Sequence, residues 1–136
     1  MTRLTYGKNE AKSAAKELLR GIIPGPTLPI HPDGSIDEDG YRFNVRYCVD
    51  VLGSSALYIN SYYQNFWLLT SEDRMRILEL AIAEVGNKVP IINRAAHQSP
   101  HEAIRLAQHA QEAGADFISL VLPTFGSDRN VLFGYF

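Results

Sequence analysis

Four short apolar segments open near residues 22, 56, 89 and 117, at intervals of about 34, 33 and 28 residues. A helical pattern fills each interval. Nothing else in the chain constrains the fold as strongly. Short runs of apolar residues with little polar alternation read as strands buried on both faces. Helices between such strands form the crossovers of a parallel sheet. Two architectures meet this pattern. One is a small open doubly wound sheet. The other is the first half of a (β/α)8 barrel, whose complete form typically needs about 250 residues. The dinucleotide and P-loop fingerprints that mark a nucleotide-binding open sheet are both missing.

The helices carry their own punctuation. Residues 8–20 read as a short helix stopped by Gly21, with Lys8, Lys12 and Lys16 on one solvated face. The run "GIIPGPTLPI" (21–30) reads as a short buried strand and a Pro-rich loop. Turn chemistry in "HPDGSIDEDG" leads into a helix with Tyr41, Val45, Cys48, Val49 and Leu52 as its apolar stripe, stopped by Gly53. "ALYIN" (56–60) is the second strand. Thr70 starts the next helix with Asp73 at its third position, and Met75, Leu78, Ile82 and Val85 form its buried stripe. "VPIIN" (89–93) follows as a strand. Ser99-Pro100-His101-Glu102 then reads as a capping box opening a helix that ends at Gly114. "FISLVL" (117–122) is the fourth strand, and "VLFGYF" begins an apolar segment at the end.

Composition removes several function classes. The 136 residues carry 13 Lys+Arg against 15 Asp+Glu, a net charge of −2, with no basic cluster to hold nucleic acid. The single cysteine, Cys48, excludes an internal disulfide and a Cys-based zinc site. No apolar run reaches the ~18 residues of a membrane span, and residues 1–20 lack the apolar core of a secretory signal. The expectation is a cytoplasmic protein with no nucleic-acid or membrane partner and no cofactor. His101 and His109 lie two helical turns apart, too far for one metal ion, and read as solvated; His97, ahead of the helix, could face a pocket. Asp33 and Asp37 belong to turn and cap chemistry, and no metal site is expected. Ser61 has no recognisable base partner, so a hydrolase triad has no support. Among the aromatics of 58–67, Phe66 and Trp67 read as core. Tyr62 and Tyr63 fit either core packing or a substrate-lining or interface cluster.

Five stretches, in this order and spacing, resemble the N-terminal half of the dihydrodipicolinate synthase / N-acetylneuraminate lyase family. They are "GIIPGPTLPI" with "DGSID", "ALYIN", "FWLLTSEDRMRILELAIAEVGNKVPII", "SPHEAIRLAQHAQEAGAD" and "FISLVLPTF". The resemblance implies an α/β fold: the N-terminal half of a (β/α)8 TIM barrel, about four parallel strands with helices, preceded by a short N-terminal helix. Residues 1–20 would be a helical extension and 21–136 the first four βα units, truncated. It also implies Schiff-base chemistry on pyruvate or a related 2-oxo acid, and a homo-oligomer, dimer or tetramer.

The family's functional motifs are altered here. Where the family carries Gly-Thr-Thr-Gly-Glu, a loop that receives the substrate carboxylate, this chain has Ser61-Tyr62-Tyr63-Gln64-Asn65. Backbone N–H donors could survive that change, although two tyrosines fill much of the space. Where the family often has Gly-x-Gly, this chain has Arg94-Ala95-Ala96. Arg94 reads as a fixed cation for a substrate carboxylate, or as an ion pair with a neighbour. The candidate substrate-binding residues are therefore Ser61, Tyr62, Tyr63 and Arg94. At the family's proton-relay tyrosine, at the subunit interface, the match is Phe125, which has no hydroxyl; Thr124 precedes it.

Schiff-base chemistry needs a desolvated lysine at the C-terminal end of a barrel strand. Of the four lysines here, three lie near the N-terminus and Lys88 precedes a strand, on the opposite face. The family's lysine and phenolic acid/base sit on its sixth and fifth strands, which the resemblance places beyond residue 136. The leading expectation is a lyase of this family (aldolase, hydratase or dehydratase) that is inactive as this stretch alone. The alternatives are a lapsed homologue serving as a binding or assembly module, and a self-contained small α/β domain that binds a ligand.

Overall fold

The computed structural model describes residues 7, 9–122 and 128–135. Its elements are α1 (Ala11–Leu18), α2 (Glu38–Arg46), β1 (Leu57–Ile59), α3 (Ser71–Val85), β2 (Ile91–Arg94), α4 (Pro100–Ala113), β3 (Phe117–Ser119) and α5 (Arg129–Tyr135). The strands form one parallel sheet in the order β1-β2-β3, with Leu57 opposite Ile91 and Ile92 opposite Phe117. None of the described helices is long and apolar enough to cross a membrane.

Among the described residues three strands are present where about four are expected. The missing one is the Pro-rich segment near residue 22. It does run beside β1 in the same direction, because the Ile22 and Pro24 carbonyls accept from Ser55 N–H and Tyr58 N–H, each at 2.9 Å. Pro24 and Pro26 have no N–H to return, so the segment supplies acceptors without completing a ladder.

Successive strand residues point to opposite faces of the sheet. Leu57, Ile59 and Ile91 face the helices and cluster with Tyr41 and Val45 of α2 and Ile77, Leu78, Ala81 and Val85 of α3. Fully burying each large aliphatic side chain contributes about 1.5–3 kcal/mol. The opposite face carries Tyr58, Arg94 and Ser119, joined by hydrogen bonds across all three strands.

Helix boundaries follow local chemistry. Asp37 caps α2 through Gly40 N–H, and Thr70 with Asp73 closes the expected capping box of α3. The box expected at Ser99 does not form. Ser99 is the N-cap with Pro100 behind it, but its side chain makes no cap bond. Glu102 instead accepts from Ser71 Oγ at 2.8 Å and from Arg105. Two apolar stripes also shift. The chain after α2 continues as a π-helical turn, Tyr47–Val51, which widens the helix and rotates Leu52 into solvent. In α3 the buried face is Arg74, Ile77, Leu78, Ala81 and Val85, while Met75 and Ile82 sit half-buried on its flanks.

Candidate functional site

Three chain segments leave the C-terminal ends of β1, β2 and β3 together, the end at which parallel α/β sheets collect ligands. They enclose a cavity of about 390 Å³ whose lining includes Tyr62, Phe66, Trp67, Arg74, Arg94 and His97. Leu69, Ala96, Val121 and Leu122 supply much of the remaining wall. Among the described residues no aspartate or glutamate lines it.

Arg94 stands at the end of β2 and is 5% exposed. Its guanidinium lies 4.2 Å from the Tyr62 ring centre, 4.9 Å from Phe66 and 5.6 Å from Tyr58. Arg94 Nε donates to Tyr58 Oη at 3.1 Å, and that hydroxyl shares a 2.8 Å bond with Ser119 Oγ. Arg94 Nη1 is buried without a hydrogen-bond partner. Burial acts against the Arg94 charge, but hydrogen bonds to Tyr58 and Tyr62 outweigh it and hold the pKa above the usual arginine value.

Arg74 lies beneath, in the first turn of α3, and is 3% exposed. A cation there opposes the helix dipole. Its compensation is main-chain: Nη2 donates to the Arg94 carbonyl at 2.9 Å and Nη1 to the Ala96 carbonyl at 3.0 Å. Burial, and secondarily the charge of Arg94, lowers its pKa to about 10. Neither arginine pairs with a carboxylate; the ion pairs of the described residues use Arg42, Arg46, Arg76, Lys88, Arg105 and His109.

The loop after β1 is held from below. Asn60 takes the left-handed conformation, φ 58°, which asparagine tolerates better than most residues. Its Nδ2 donates to the Arg74 carbonyl at 3.1 Å and to Asn93 Oδ1 at 2.8 Å. Ser61 is buried, and its N–H donates to Gln64 Oε1 at 3.0 Å, so that amide is already engaged. Gln64 in turn donates to Tyr41 Oη at 2.9 Å. Tyr62 and Tyr63 begin a short 3-10 turn, Tyr62–Gln64, whose first amides have no partner within the turn. Tyr62 lines the cavity, whereas Tyr63 is 82% exposed.

Of the four candidate binding residues, the structure thus brings Tyr62 and Arg94 together at the cavity. Ser61 lies behind the loop and Tyr63 points outward. Phe125 and Thr124 lie outside the described residues. Trp67 is no core residue: it is 55% exposed at the cavity edge and packs edge-on against half-buried Phe66, their centres 5.5 Å apart. His97 lines the cavity, with Nδ1 accepting from Ser99 N–H at 3.0 Å. His101 is exposed, but His109 is bonded to Glu79 at 3.0 Å rather than simply solvated. Among the described residues no group of three or more His, Cys, Asp or Glu could hold a metal ion. Lys88 is paired with Asp50 at 2.7 Å, ahead of β2 and at the far end from the cavity. Sequence reasoning missed Arg74. Its signal is its register with Ile77, Leu78, Ala81 and Val85, which puts a cation on the apolar face of α3.

Residues 18–130 match the model of the dihydrodipicolinate synthetase family. The chain is 35% identical over 108 residues to the N-acetylneuraminate lyase of Histophilus somni (strain 2336), covering 79% of this chain and 37% of that protein. It is 32% identical over 120 residues to the 4-hydroxy-tetrahydrodipicolinate synthase of Agrobacterium fabrum, covering 88% of this chain and 40% of that protein. Among solved structures, the CdNal protein of Clostridium difficile, in complex with mannosamine, aligns with TM-score 0.82 and 27% identity. That alignment covers 86% of this chain and 41% of the other. YagE, a prophage protein of the dihydrodipicolinic acid synthase family from E. coli K12, in complex with pyruvate, aligns with TM-score 0.80 and 30% identity, covering 87% and 40%. The chain therefore spans about two fifths of the length of such relatives.

Proposed function

The chain belongs to the dihydrodipicolinate synthetase family, and from that membership we propose that the polypeptide carrying it is a Schiff-base lyase acting on a 2-oxo acid. One observation carries the reading. A buried arginine, Arg94, reaches the C-terminal end of the sheet with an unpartnered Nη1 and no carboxylate in the cavity beside it. A substrate carboxylate would complete that hydrogen bond and neutralise the charge. The first amides of the Tyr62–Gln64 turn, which have no partner within the turn, lie in the loop that ends at the same cavity and could add donors for the same anion. A lysine amine on a later strand of the complete barrel would attack the ketone carbon. Condensation releases water and leaves an imine, the electron sink for cleaving or forming the neighbouring bond. Lys88 does not supply that amine, being paired with Asp50. A cytoplasmic homo-oligomer, dimer or tetramer, is part of this reading, and light scattering of the complete polypeptide measures its assembly state.

The test is reductive trapping. The complete polypeptide is incubated with pyruvate and borohydride, and its mass is then measured. A stable single adduct on one lysine is expected. Absence of an adduct with pyruvate and with longer 2-oxo acids would sink the lyase reading. A second reading would then stand, in which the protein is a lapsed homologue used for binding or assembly. The observation in its favour is Tyr62, whose ring covers Arg94 at 4.2 Å and fills space that small residues leave open in the family.

A further inference from the structure

The walls of the cavity contain two kinds of chemistry. Two buried guanidiniums, Arg74 and Arg94, have no carboxylate partner, and Arg94 Nη1 has no hydrogen-bond partner at all. The rest of the lining is largely apolar and aromatic: Phe66, whose ring stacks on both guanidiniums, Trp67, Leu69, Val121 and Leu122. Among the described residues, polar side chains able to satisfy several hydroxyl groups are few: besides the two arginines, the lining has Gln98, His97 and the Tyr62 hydroxyl. A volume of about 390 Å³ is at the scale of small-molecule sites.

We propose that this cavity takes a carboxylic acid with a flat apolar body and discriminates against polyhydroxylated acids. The proposal rests on the reading of Arg94 as a carboxylate acceptor and adds the chemical class of the rest of the ligand. The carboxylate meets Arg94 Nη1. The body lies against the apolar wall, where rings of Phe66 and Trp67 already stand edge to face at 5.5 Å and offer a surface for a third. A sugar-like acid would gain the same charge contact. It would have to strip water from hydroxyls for which that wall has no partners, and this is where the selectivity arises.

Trp67 is the only tryptophan in the chain and lines the cavity, so its fluorescence reports occupancy without a label. The complete polypeptide is titrated with 3-phenylpropanoate, gluconate, pyruvate and the neutral 3-phenylpropanamide. None of the first, second and fourth has a ketone, so their binding is independent of imine formation. The expected result is saturable quenching by 3-phenylpropanoate, with affinity on the order of tenfold or more above gluconate; pyruvate, which can also form the imine, is read by trapping instead. Arg94→Gln lowers that affinity by about tenfold and leaves the amide unchanged. Leu122→Glu is a second variant, on the cavity lining and outside the buried arginine cluster. It places a negative charge at the cavity and weakens the acid alone. Gluconate binding as tightly as 3-phenylpropanoate overturns the proposal, as does affinity unchanged in both variants or no saturable signal. Trapping with pyruvate and borohydride separates the two readings. An adduct without phenylpropanoate selectivity removes this proposal and keeps the lyase. Selectivity without an adduct does the reverse.

Discussion

Arg74 donates to the main-chain carbonyl of Arg94 at 2.9 Å, so one buried cation holds the strand end that presents the other. The Asn60 side chain donates to the Arg74 carbonyl at 3.1 Å and ties the end of β1 to the same point. Replacing Arg74 with methionine leaves the Arg94 and Ala96 carbonyls without their donors. The expected cost is about 2–4 kcal/mol, read as a lower urea midpoint. If the midpoint is unchanged, the two bonds contribute nothing that water does not replace.

Gly25 lies against the loop that precedes the cavity. A Cβ there would collide with the Ser61 side chain and stand 3.2 Å from the Tyr58 carbonyl. Gly25→Ala should cost about 1–3 kcal/mol and weaken acid binding, because Ser61 must move and carries Tyr62 with it. Full stability with normal binding would show that the loop yields without consequence.

Tyr41 is fully buried, and its hydroxyl accepts from Gln64 Nε2. Burial pushes its pKa far above the ordinary tyrosine value, so it stays protonated across the working range. Tyr41→Phe strands the Gln64 donor in the core and should lower stability by about 1–3 kcal/mol. The double variant with Gln64→Leu should recover part of that loss, and chemical denaturation of the pair checks it.

Acid should loosen the helix layer. The hydrogen bond from Arg76 holds the Glu38 carboxyl below its ordinary value of 4.5, and those from Arg46 and Arg42 do the same for Glu84. A depressed folded pKa gives stability that is complete above 4.5 and is lost as pH falls through the lower folded value. These pairs are partly exposed, so each contributes only about 0.2–1 kcal/mol. Melting curves should be level from neutral pH to about 5 and decline below it, and Glu84→Gln should flatten the decline.

Cys48 is the only cysteine and is buried against the α2–α3 core. Burial raises its pKa and keeps the thiolate population low. A thiol reagent should modify it slowly in buffer and rapidly in urea. Equal rates in both would mean that this part of the helix layer opens freely.

The sequence and the structure part company at particular residues. The three strands after residue 50 and the cap at Thr70 are legible because their signals are local: apolar runs, a hydroxyl with an acid three residues on, a terminal glycine. The Pro-rich segment misleads because its apolar content suits a strand while its missing N–H groups forbid the ladder. Arg94 is legible as a cation at a strand end. Its three-ring enclosure is not, because Tyr58 reaches it from a strand and Tyr62 and Phe66 from two successive 3-10 turns. Glu102 fails as a cap because Ser71 and Arg105, distant or adjacent in sequence, compete for its oxygens. Arg74 escapes notice because sequence patterns assign arginine to solvent.

The bond between Tyr58 and Ser119 joins residues 61 positions apart and passes over β2, which lies between their strands. It closes only after both helical crossovers have docked. We expect its energy to accrue late, after the rate-limiting step of assembly, as for a contact of high sequence separation. On that expectation Tyr58→Phe leaves the refolding rate nearly unchanged and quickens unfolding, the signature of a contact that lengthens the time the strand ends stay gathered around the cavity rather than one that speeds their meeting.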